Sequence, residues 1–143
     1  MDGQCTTFDH TADVGLDARA DSLEQLLTAL ADGLRRVIHQ PDGVDPRQTR
    51  TLQLEADEIE TLTVDLLWQL MDLIQVELFL IASVEVQVAQ LSGACRLEAR
   101  VAGEPYDAGR HVFNTEIKAV TYHLLQVRQD EQGVWRGRVI LDL

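Results

Sequence analysis

The chain has 143 residues, about one domain on the usual scale of roughly 100–200, and its 45% hydrophobic and 25% charged side chains are the balance of an ordinary globular protein. Twelve basic residues against 24 acidic ones leave a net charge of −12, a total that repels a phosphate backbone or an anionic membrane and favours cations or basic protein surfaces. No stretch approaches the ~18 apolar residues of a membrane span, and the opening MDGQCTTFDH lacks the basic-then-apolar pattern of a secretory signal.

Cys5 and Cys95 lie far apart without CxxC spacing. They make no zinc site unaided and read as reduced thiols of a cytosolic protein, Cys95 within a strand. No repeat or linker divides the chain, so residues 1–143 are expected to form one domain, with Gln40 to Pro46 as a loop.

In chain order, Val14, Leu16, Ala18 and Ala20 alternate as a strand does. A helix is predicted from about Ser22 to His39, with Leu23, Leu26, Leu27, Leu30, Leu34, Val37 and Ile38 on one face. Asp21 with Glu24, or Ser22 with Gln25, fits a capping box, and Pro41 ends the helix. Leu52 and Leu54 mark a strand. A second helix runs from about Asp57 to Gln75, with Asp57 and Glu60 again fitting the box and a broad apolar stripe from Ile59 to Ile74. Val76 to Ile81 either prolongs it or begins the next strand. Val84, Val86 and Val88, then Cys95, Leu97, Ala99 and Val101, alternate around a turn at Ser92-Gly93. Ile117–Val127 and Val134–Leu143 read as two further strands joined by the loop Arg128 to Gly133. The expected class is α+β: two helices packed on one face of a largely antiparallel sheet.

Three segments carry groups with chemistry. His10-Thr11-Ala12-Asp13-Val14-Gly15 puts an imidazole, a hydroxyl and a carboxylate where a loop enters a strand. Asp13 is there a hard oxygen ligand or a base, or it and Thr11 simply satisfy turn amides. At the far end, Asp142 stands beside the terminal carboxylate of Leu143. Gathered with Asp13, these oxygens would repel one another unless a cation neutralised them, and oxygen donors favour calcium or magnesium over zinc. Spacing alone does not bring Asp13 to Asp142. Glu116 and Lys118, two apart, would share a strand face, either as a surface ion pair worth about 0–1 kcal/mol or as a partner-facing pair. The histidines 10, 39, 111 and 123 make no helical metal pair, and no HExxH, GxSxG, Walker loop or GxGxxG occurs. Cys5 and His10 are at most a weak thiol pair.

Taken in order, HTADVG (His10–Gly15), DSLE (Asp21–Glu24), GEPYD (Gly103–Asp107), EIKAVTYH (Glu116–His123) and the ending VILDL (Val139–Leu143) resemble the archease family over nearly the whole chain. Tyr106 stands where the family usually has phenylalanine. Asn114 stands where glycine is common, and asparagine tolerates left-handed backbone. The resemblance implies a cytoplasmic accessory protein, not an enzyme, that assists an RNA-splicing ligase in transfer RNA processing. It would promote guanylylation of that ligase and its repeated turnover. It also implies a divalent cation, calcium first and magnesium or manganese otherwise, held by Asp13, Asp142 and Leu143. His10, Glu116 and Lys118 would be contact or activating residues. The expected partner is the ligase, met transiently, with neither nucleic acid nor membrane bound directly. Two other readings are a small metal-dependent hydrolase using Asp13, Asp142 and His10, and a general chaperone-like binding module.

Overall fold

A computed structural model of the protein describes residues 3–10 and 13–143, with the backbone alone for 9 and 10. The leucine stripe becomes α1 (Leu23–Ile38), whose Leu26, Leu27, Leu30, Leu34 and Ile38 are fully buried. Of the two possible capping residues, Ser22 takes the position, and its Oγ accepts the Gln25 N–H at 3.1 Å. At the other end, Asn114 supplies what the last carbonyls lack: its backbone N–H donates to Ile38 at 2.7 Å and its side-chain amide to Arg36 at 3.2 Å. Asn114 therefore serves as a helix cap. It does not take the left-handed backbone, which among described non-glycine residues belongs to Leu78 and Leu124.

Helix α2 (Ile59–Gln75) starts two residues later than the expected box, with Glu58 as N-cap and no side-chain cap bond, so Asp57 does not act as cap. Val76 ends this helix, and Leu78, at φ 55°, turns the chain into the next strand.

Every strand pair is antiparallel, and the strands divide into two sheets. The first runs β1 (Gln4–His10), β2 (Asp13–Ala20), β8 (Trp135–Asp142), with β6 (Ala119–Val120) and β7 (Gln126–Gln129) both on the far side of β8. The second runs β3 (Gln48–Ala56), β5 (Ala94–Pro105), β4 (Phe79–Leu91), with a tight turn between Leu91 and Ala94. Both helices touch each other and both sheets. Leu16, Ala18, Ala20, Val139 and Leu141 from the first sheet and Leu97, Ala99 and Val101 from the second belong to one apolar cluster that the two helices join.

Two stretches of strand also differ from what the sequence pattern suggests. Gln4–His10 is a strand, although QCTTFDH shows no clean alternation, because it pairs along β2 from Gln4↔Arg19 to His10↔Asp13. Ile117–Val127 is not one strand. It breaks into β6 and β7 around a turn at His123-Leu124, where Leu124 takes φ 56°.

Candidate functional site

The register of β2 on β8 sets Asp13 directly opposite Asp142. The carbonyl of Asp142 points the other way, accepting the Lys118 N–H at 2.8 Å. Asp13 and Asp142 thus form the non-hydrogen-bonded kind of antiparallel pair, in which Cα atoms approach to about 4.5 Å and side chains lie closest. Both are half-buried and project from the outer face of the sheet, since the inward positions of these strands are Leu16, Ala18, Val139 and Leu141. Two carboxylates placed opposite each other destabilise a strand pair, and a cation between them reverses the sign. The half-buried Leu143 follows directly. Among the described residues no three His, Cys, Asp or Glu side chains gather at metal-holding distance. The donors the fold offers here are thus a facing carboxylate pair and neighbouring backbone oxygens. That oxygen-only set fits a hard cation that keeps several waters.

The segment beside this pair is clamped from two sides. From α2, the Gln75 amide accepts the Ile117 N–H at 2.7 Å and donates to the Ile117 carbonyl at 2.8 Å. Trp68 Nε1 donates to the Val120 carbonyl at 3.1 Å. From β8, Asp142 and Ile140 accept the N–H groups of Lys118 and Thr121. Glu116 and Lys118 are exposed, but they precede β6 in irregular backbone and so do not share a strand face. The backbone of His10 lies opposite Asp13; its side chain and all of Thr11 fall outside the described residues. Gln75 and Trp68 escaped the sequence reading because helical periodicity marks what is buried, not what a polar or half-exposed flank can bond.

Next to the acidic pair, Gly15 faces Ile140. A Cβ on Gly15 would lie 1.9 Å from Phe8 Cζ, so the Phe8 ring occupies the space that a side chain would fill. Ile140, though on the outer face, is 1% exposed.

A second carboxylate centre was not legible as such. Glu104, 2% exposed, accepts the Asp45 N–H at 2.7 Å, pairs with Arg110, and meets His111 Nε2 at 3.1 Å. The Asp45 N–H first, then the Arg110 and His111 contacts, outweigh burial and bring its pKa down to about 2. His111 Nδ1 accepts the Asp107 N–H at 2.9 Å, which leaves the ring proton on Nε2, aimed at Glu104. Gly103 is required here, since a Cβ would sit 1.8 Å from the Leu80 carbonyl oxygen. This centre anchors the start of the loop that ends in Glu116 and Lys118.

Burial, aided by Asp32 and Asp17, pushes the Cys5 thiol pKa up to about 12, which disfavours a thiolate there; the His10 side chain, the other half of the expected pair, lies outside the described residues. Cys95 is buried in β5, and both cysteines are free.

An α+β protein whose two antiparallel sheets enclose a helix pair, with facing aspartates at one sheet end, has close counterparts. Residues 6–143 match the model of the Archease protein family (MTH1598/TM1083). The chain is 31% identical over 136 residues to protein archease of Thermococcus gammatolerans, covering 95% of this chain and 96% of the relative. It is 33% identical over 136 residues to that of Methanopyrus kandleri, with the same coverage. The solution structure of Methanobacterium thermoautotrophicum protein 1598 superposes with a TM-score of 0.77 at 28% identity, over 99% of this chain and 98% of the other. This chain belongs to the archease family.

Proposed function

We propose that this protein is a cytoplasmic accessory factor, not itself a catalyst, that docks transiently on an RNA-splicing ligase serving transfer RNA, promotes guanylylation of that ligase and sustains its repeated turnover. Asp13, Asp142 and an oxygen of Leu143 hold a divalent cation, calcium before magnesium or manganese. When bound, the cation supplies charge neutralisation at the strand end. His10, Glu116 and Lys118 are the contact or activating groups. The observation that carries this reading is the in-register pairing of two carboxylates beside a clamped segment that presents an exposed lysine. That arrangement suits a surface that meets another protein's active centre. The chain charge of −12 speeds encounter with a basic, RNA-binding enzyme.

The test is ligation with substrate in excess over ligase, with and without this protein. Rounds beyond the first depend on it, and Lys118→Ala or Asp142→Ala loses that dependence. If the ligase turns over equally well alone, the assignment fails. Calorimetry with calcium separates the cation from the docking: wild type binds and Asp142→Ala does not.

A further inference from the structure

The chain total of −12 conceals an uneven distribution. On the same outer face as the acidic pair, at the opposite end of the same strands, Arg19 lies across from Arg136, and Arg136 lies across from Arg128. Three arginines thus stand in one row over β2, β8 and β7, about 10 Å long at the usual ~4.8 Å strand spacing. Arg138 stands in the next row, across from both Asp17 and Gln126. These groups line a concave site of about 470 Å³ with Gln4 and Thr6.

Among the described residues, four arginines here face two carboxylates, and each carboxylate is already engaged. Asp17 takes the fork of Arg138 at 2.8 and 2.7 Å, and Asp130 takes Arg136 at 3.0 Å. Among the described residues, Arg19 and Arg128 have no ion-pair partner. Like charges directly opposite in a strand pair destabilise it, and Arg19 and Arg136 have the same parity as Asp13 and Asp142, hence the closer kind of pairing. Of the row, Arg136 alone is repaid by a carboxylate, so the repulsion at Arg19 and Arg128 goes unanswered within the fold, as it would at a site that takes an anion. Planar guanidinium forks side by side match phosphate oxygens bidentately. The face of Phe8 is already covered by Arg138, at 4.9 Å from its centroid.

The geometry points to a phosphate-binding site formed by Arg19, Arg128 and Arg136, which takes the charged oxygens of a phosphate ester without reading what they are attached to. It is independent of the cation reading at the other strand end. The phosphate comes either from a small polyphosphate or from a nucleic-acid backbone.

Binding of tripolyphosphate and of a labelled oligouridylate, each in low salt with chelator present, distinguishes the two sources. At least one is expected to bind. The Arg19→Ala/Arg128→Ala double variant then binds it about tenfold or more weakly, while Arg96→Ala on the second sheet binds as wild type does. If the oligouridylate is the ligand, its logarithmic salt slope falls by about 0.7 for each arginine removed. The double variant melts at or above the wild-type temperature, because it relieves repulsion. In the wild type, the arginine Nε–H resonances of positions 19, 128 and 136 move with added probe. Binding of neither probe, equal binding of polyglutamate, or resonance changes confined to the Asp13 end would overturn the proposal.

Discussion

Glu104 and the Asp13–Asp142 pair are both partly or wholly withdrawn from water, yet they are opposite solutions to holding a carboxylate in a fold. Around Glu104 the chain supplies a backbone N–H, a guanidinium and an imidazole N–H, so its charge is answered from within. Across from Asp13 the chain supplies another carboxylate. The first arrangement is finished when the protein folds, and its work is to fix the loop that follows. The second sets like charges together, and a structure that does so gains from an external cation. A buried acid with its own counter-charges belongs to the architecture, whereas two acids set in register by the backbone are placed together by the sheet and not by each other's charge.

The largest effect expected from breaking this contrast is at Glu104. Folded Glu104 stays ionised down to about 2, whereas in the unfolded chain it protonates near its ordinary value of about 4.3. The unfolded state therefore takes up this proton first as pH falls. The stabilisation is whole above about pH 5 and is lost between there and about pH 2. Glu104→Gln is expected to lower the melting temperature at neutral pH by several degrees and to flatten that acid limb, as read by thermal unfolding across pH. His39 adds a shallower limb. Burial holds its ring below the ordinary histidine pKa, so stability that is whole above about 6.5 declines as pH falls beneath it and the unfolded ring protonates.

At the acidic pair the sign depends on the cation. Calcium at about 100 times its Kd is expected to stabilise the wild type by roughly 2.7 kcal/mol, while Asp142→Asn, with the repulsion removed, shows no calcium response and melts no lower than wild type in chelator. Thermal scans with calcium and with chelator check both halves. Gln75→Ala removes the two-bond clamp on Ile117. It is expected to cost about 1–3 kcal/mol and to speed amide exchange at Ile117 and Lys118 ahead of the rest of the chain. The smallest change is Ser22→Ala, which removes the α1 cap for about 1 kcal/mol in denaturant unfolding and leaves both carboxylate centres untouched.

Periodicity made α1 legible almost to the residue, because a helix with one buried face and a serine before it has few other ways to fold. It was equally informative for the alternating strands around Ser92-Gly93. It failed at QCTTFDH, an edge strand whose identity rests on pairing with β2 and not on a buried face of its own. It also failed at Ile117–Val127, where β-prone residues run on but Leu124 turns the backbone left-handed. Division of the strands into two sheets was likewise invisible, since alternation does not say which strand a neighbour will be. As for the site, residue chemistry singled out Asp13 and Asp142, the family resemblance grouped them, and spacing alone could not give the strand register that sets them face to face. Glu104 was quoted within GEPYD, but its burial depends on Asp45, Arg110 and His111 arriving from other turns of the loop. The arginine row shows the same limit from the other side: a chain-wide charge total carries no information about which side chains three neighbouring strands will align.

Asp142 faces two neighbours at once: it stands opposite Asp13 in the β2–β8 ladder, and its carbonyl accepts the Lys118 N–H on the other side. The last strand therefore carries the acidic pair on one edge and the lysine segment on the other, at a single residue. Removing Asp142 from the ladder would loosen both edges of the strand at once.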